Sequence, residues 1–107
     1  MAQYFNITGA SSAAAELTRE LLAVGSNVSV SKMFFTNIHT TNPCTLDLYI
    51  EKKLTGKFYL LKGVELPVGA TLEYENPEFN NNTGGFGLFL KLNKSASETP
   101  SVDVILQ

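Results

Sequence analysis

From about residue 28 onward, apolar side chains recur two positions apart, the period of a strand with one face on a core. Residues 45–51 carry it most cleanly: Leu46, Leu48 and Ile50 share one parity, and Asp47, Tyr49 and Glu51 take the other. Phe86, Leu88, Leu90 and Leu92 repeat the pattern with Gly87 and Lys91 opposed, and Val102, Val104 and Leu106 close the chain with Asp103 turned outward. Val28, Val30, Phe34 and Ile38 also share a parity, interrupted by Lys32 and Thr36, and predict an earlier strand that begins at Val28. Two shorter runs lie between these, at residues 58–61 and 71–74.

Turn formers separate the runs: Gly25-Ser26-Asn27, Thr40-Thr41-Asn42-Pro43, Thr55-Gly56, Pro67-Val68-Gly69, and the stretches 76–85 and 95–100. Strands between such signals, without the crossover helices of βαβ units, predict an all-β fold, a single-domain antiparallel β-sandwich of jelly-roll-like form. Residues 11–24 read two ways. Ala13, Ala14, Leu17, Leu21 and Leu22 fit one helix face, against which Glu16 and Glu20 are an unfavourable like-charge pair four apart. As a strand, residues 17–24 lead through Gly25-Ser26-Asn27 into the next strand like a hairpin, which is the preferred reading. Residues 1–15 read as an N-terminal strand, or an arm docking on a neighbouring subunit, plus an Ala-rich linker; residues 16–107 form the sandwich domain.

Composition narrows the function classes. A chain of 107 residues suits one domain whose core needs no disulfide or structural metal. Cys44 is the only cysteine, so no bridge forms within the chain and a reducing cytosol suits it. A net charge of −2, with the basic residues scattered, leaves no electrostatic footprint for nucleic acid. No apolar run approaches the roughly 18 to 20 residues of a membrane helix, and MAQYFNITGASS has neither the basic nor the apolar part of a signal peptide. Neither nucleic acid nor membrane is expected as a partner. Asn, Ser and Thr together number 27 against 18 charged residues, so much of the surface consists of uncharged hydrogen-bonding groups.

Candidate chemistry is sparse. His39, the one histidine, stands in no recognisable catalytic motif and reads as a polar strand-end residue. Cys44 reads as buried filler. Glu73, Glu75 and Glu78, followed by Asn80, Asn81 and Asn82, lack the ligand order of a calcium loop and read as a solvated strand edge. Lys52, Lys53, Lys57 and Lys62 flank the Leu54-Thr55-Gly56 turn as a diluted basic tip or as edge protection. Four Asn-x-Ser/Thr triplets, at Asn6, Asn27, Asn81 and Asn93, are by-products of the polar surface. No catalytic, metal or cofactor residue is therefore expected. Tyr49, Tyr59, Phe35 and Phe89 fall on both strand parities, more than one sheet face buries, which predicts aromatics at an inter-sheet or inter-subunit boundary. The residues expected to make contacts are Tyr4 and Phe5 near the N-terminus, and Phe79, Asn80, Asn81, Asn82 and Phe86 in the polar loop.

The succession Val24-Gly25-Ser26-Asn27-Val28-Ser29-Val30-Ser31-Lys32, Phe35-Thr36-Asn37-Ile38-His39, Leu46-Asp47-Leu48-Tyr49-Ile50 and Val64-Glu65-Leu66-Pro67-Val68-Gly69-Ala70-Thr71-Leu72 resembles small virion structural proteins of tailed bacteriophages, particularly contractile-tailed phages of marine bacteria. The resemblance is strongest over residues 20–75 and extends in layout to the whole chain. It implies a non-enzymatic β-sandwich present in many copies on the particle, made in the host cytoplasm. The leading expectation is a capsid decoration or cement subunit, homo-oligomeric, that contacts major capsid or tail proteins. The alternative is a tail, neck or fibre component that binds a receptor or glycan.

Overall fold

The computed structural model describes residues 2–8, 16–94 and 100–107. Among them the chain forms eight strands: β1 (Gln3–Thr8), β2 (Glu16–Leu22), β3 (Lys32–Asn37), β4 (Cys44–Lys52), β5 (Gly56–Leu66), β6 (Thr71–Glu75), β7 (Gly87–Lys94) and β8 (Ser101–Leu106). Two four-stranded sheets result, in the orders β1-β8-β3-β6 and β2-β7-β4-β5, with every pair antiparallel. The pairings are nested: β4 with β5, β3 with β6, β2 with β7, β1 with β8. The chain is thus one long hairpin, doubled back at residues 53–55 and rolled so that successive strand pairs alternate between sheets. This is the jelly-roll form of the sandwich, the fold that the strand pattern predicts.

The core lies between the sheets and is filled by alternate residues of each central strand. Leu46, Leu48 and Ile50 from β4, Leu88, Leu90 and Leu92 from β7, Val102, Val104 and Leu106 from β8, and Met33 and Phe35 from β3 are all buried. Burying side chains of this size stabilises the sandwich by about 1.5–3 kcal/mol each, before the entropy of ordering the chain is subtracted.

Two expectations are corrected by the fold. In β3 the inward parity is Met33, Phe35 and Asn37, not Phe34 and Ile38; Ile38 is exposed. Val28 and Val30 precede the strand in irregular backbone, so their phase says nothing about it. The polar Asn37 is itself buried, and that masked the true phase. Its amide donates to the carbonyls of Leu66 (2.9 Å) and Asn42 (3.2 Å), while its oxygen accepts the His39 N–H (2.9 Å). Residues 16–22 are a strand, as preferred over a helix, yet β2 pairs with β7 instead of forming a hairpin with the strand that follows; β3 lies in the opposite sheet. Of the two readings of the N-terminal segment, strand or docking arm, the strand is the one formed: β1 pairs along its whole length with β8, and Ile7 is buried in the core. The linker expected at residues 11–15 lies outside the described residues.

Candidate interaction surfaces

The residues with possible chemistry serve the fold locally. His39 Nδ1 accepts the N–H groups of Thr41 (3.1 Å) and Asn42 (3.0 Å), organising the turn between β3 and β4. Cys44 is buried at the start of β4, and burial pushes its thiol above the ordinary value, away from a reactive thiolate. Glu73 and Glu75 line the outward side of β6 beside Lys32, at 3.8 and 4.0 Å in exposed pairs worth little. Among the described residues, no three of His, Cys, Asp and Glu converge as a metal site.

The polar loop is wired inward. Asn81 is buried: its amide donates to the carbonyls of Ala23 (3.0 Å) and Phe86 (2.8 Å), and its oxygen accepts the Val28 N–H (3.2 Å). Its carbonyl accepts the N–H groups of Gly25 and Asn27, so one residue ties the loop after β2 to the loop before β7. The side-chain oxygens of Asn80 and Asn82 accept the N–H groups of Asn82 and Gly84. Gly85 closes the loop where a Cβ would stand 2.1 Å from the Asn80 carbonyl oxygen, so only glycine fits. Phe79 packs against the core, and Phe86 meets Phe58 edge-on at 5.8 Å. Of the residues expected to make contacts, Tyr4 is the most exposed aromatic, at 73%, while its neighbour Phe5 turns its ring toward the core under Arg19.

The outward face of the β2-β7-β4-β5 sheet carries an aromatic row. Cross-strand register places Tyr59, Tyr49 and Phe89 side by side, with ring centroids 5.4 Å apart at both steps. Lysines cover the rings: Lys57 Nζ lies 4.9 Å above Tyr49 and Lys62 Nζ lies 4.6 Å above Tyr59. One rung away Asp47 is buried although it points outward. β5 bulges opposite it, and Gly63, at a φ of 63° that suits glycine, donates its N–H to Asp47 Oδ1 at 2.6 Å, while Lys62 Nζ reaches Oδ2 at 3.3 Å. Burial alone would push this carboxyl up. The Gly63 N–H, Lys62 and the more distant Lys91 outweigh it and hold the carboxyl below its usual range.

The opposite face, on β1-β8-β3-β6, also carries a row of large apolar side chains: Tyr4, Ile105 and Phe34 stand opposite one another on adjacent strands, and the row ends at Glu73. Beside it runs a polar row, Asn6, Asp103, Thr36 and Thr71, in which the Asn6 amide donates to Asp103 and the two threonine hydroxyls are 2.9 Å apart. A shallow depression of about 390 Å³ lies over the Tyr4 end, lined by Tyr4, Phe5, Asn6, Asp103, Val104 and Ile105.

The third outward feature is the tip of the β4–β5 hairpin. The Thr55 N–H closes the turn on the Lys52 carbonyl at 2.9 Å, and Leu54 occupies its third position at a φ of 69°. Glycine or asparagine is the usual occupant there, because a Cβ is strained in left-handed backbone. Leu54 is nonetheless fully exposed, as is no other large apolar side chain among the described residues. Lys52 and Lys53 precede it, and Lys57 follows. Tyr49, Tyr59 and Phe89 were singled out by the residue pattern, but their alignment in one outward row, the burial of Asp47 and the exposed leucine at the tip were not evident from it. The turn and its lysines were.

No family model matches the chain, and no curated protein matches it. Among solved structures it is similar to the crystal structure of the Yersinia pseudotuberculosis-derived mitogen, with a TM-score of 0.57 and 14% sequence identity, over 100% of this chain and 85% of that one. Identity this low carries the fold alone, and the likeness agrees with the sandwich described above.

Proposed function

We propose that the chain is a non-enzymatic structural subunit of a bacteriophage particle, a decoration or accessory protein that works by adhesion. The observation that carries this reading is the outward Tyr4–Ile105–Phe34 row, an apolar strip on a sheet face with a polar, acidic margin. Folding does not need Tyr4 there, since most of its ring stays in water. Apolar strips with polar rims are how protein surfaces hold one another. The resemblance of residues 20–75 to small phage virion proteins supplies the setting, and jelly rolls recur among viral shell domains.

Purified particles of the phage that encodes the chain are expected to carry it in many copies, detected by mass spectrometry, and to rupture at a lower temperature when stripped of it. Absence from purified particles overturns the reading. Lost host adsorption at an unchanged rupture temperature moves the subunit from the shell to the tail or fibre.

A further inference from the structure

The strip and the tip are complementary, and this deepens the reading above by naming what covers the strip. The tip presents a fully exposed leucine with exposed Lys53 beside it, while Lys52 and Lys57 set their ammonium groups over the Phe86 and Tyr49 rings. The face presents a depression over Tyr4 and Ile105 with Asp103 in its lining; Glu73 and Glu75 lie two strands further on, on β6, paired with Lys32. One surface is convex, apolar and basic; the other is concave, apolar and acidic. Both belong to the same chain but lie on different sheets, the tip at the end of β4 and β5 and the depression on β1 and β8. We infer that the hairpin tip of one copy seats in the depression of the next, with Leu54 as the knob and Lys53 facing Asp103, so that copies associate head to tail.

Leu54 itself is the strongest sign. At a φ of 69° a leucine costs conformational energy that glycine would not, and full exposure gives it no burial to offset that cost. Strain held at an exposed apolar residue is explained if the side chain becomes buried in a partner. The contact joins two different surfaces of one molecule, so it closes into a ring or runs on as a chain of copies, unlike a two-fold dimer that uses one surface twice.

The test is sedimentation of the full chain over a range of concentrations. The wild-type chain is expected to associate reversibly, and more weakly as salt rises. Leu54→Gly is expected to weaken association by roughly tenfold or more, as for a central interface residue, while its melting temperature stays the same or rises. Tyr4→Lys, which places a cation in the acidic depression, is expected to do the same through the other surface. The decisive measurement mixes the two variants. Each retains the surface that the other lacks, so together they form a one-to-one dimer that neither forms alone. A monomeric wild-type chain, association unaffected by Leu54→Gly, or a mixture that stays monomeric overturns the contact. A chain that is monomeric in solution yet abundant on particles overturns this contact and leaves the particle reading standing. A chain that self-associates but is missing from particles does the reverse.

Discussion

The two outward sheet faces of this sandwich carry similar rows, three large side chains side by side on neighbouring strands, and treat them in opposite ways. On β5-β4-β7 the row Tyr59, Tyr49, Phe89 is closed from above by Lys57 and Lys62, and its central ring is only 4% exposed. On β1-β8-β3 the row Tyr4, Ile105, Phe34 ends at an edge strand with Tyr4 73% exposed. The first row is covered at its centre and stabilises the sheet, while Tyr59 on the edge strand stays 43% exposed. In the second, Ile105 and Phe34 are half-buried and Tyr4 is left to solvent, where its ring adds little to stability and remains available for contact. Apolar content on an outer face therefore does not reveal its purpose. What lies over it does.

The largest expected effect that sharpens this contrast is at Tyr49. Tyr49→Ala removes the middle ring of the closed row and uncovers Asp47 beside it, and is expected to destabilise the domain by about 3 kcal/mol, the cost of truncating a buried aromatic. Urea unfolding measures it. A loss below about 1 kcal/mol, the ordinary cost of a surface change, would make the closed row decorative and erase the difference between the faces.

Asp47 comes next, because its carboxylate anchors the same covered face. Asp47→Ala leaves the Gly63 N–H at the bulge without its acceptor and is expected to cost about 2 kcal/mol, in the range for hydrogen bonds to a charged group. The pH dependence has a definite sign. The folded carboxyl titrates below its unfolded value of about 3.9, so its contribution is fully present above that pH and is lost as pH falls through the lower folded value. Melting temperature followed from pH 6 downward, roughly the range where carboxylates take up protons, should fall less steeply below about pH 4 in Asp47→Asn than in the wild type. Identical acid profiles would mean that the Gly63 and Lys62 contacts hold no charge in place.

How much of this was legible in the residues follows from strand position. β4, β7 and β8 are central strands with uninterrupted alternation, and their inward residues are those that the period marks. β3 was misphased because a buried asparagine, Asn37, sits where the pattern expects an apolar side chain and two valines sit just before the strand begins. β5 was seen only as residues 58–61 because its two register shifts break the period of two. Tyr49 and Asp47 have the parity of solvent-facing residues and are nevertheless covered, since β4 is flanked on both sides and long side chains from β5 and β7 reach over it. That covering depends on which strands are neighbours, and nested pairing of partners as distant as β1 and β8 leaves no local trace in the chain. The polar loop is mixed: Asn80 and Asn82 are exposed, as an Asn-rich stretch suggests, while the side chain of Asn81 is spent on joining two loops.

The smallest expected effect is at the other row, and it is the one on which the contrast stands. Tyr4 is chemically the same residue as Tyr49 and also sits on an outward parity beside an apolar cross-strand neighbour, here Ile105. Its strand is at a sheet edge, so a neighbour flanks it on one side only, and most of its ring is in water. A cross-strand pair of this kind contributes a few tenths of a kcal/mol, and little burial is lost on truncation. Tyr4→Ala is therefore expected to shift unfolding free energy by less than about 0.5 kcal/mol in the same urea experiment. If it costs more than about 1.5 kcal/mol, comparable to a buried side chain, Tyr4 is holding the first sheet together as Tyr49 holds the second, and the open row is structural rather than adhesive.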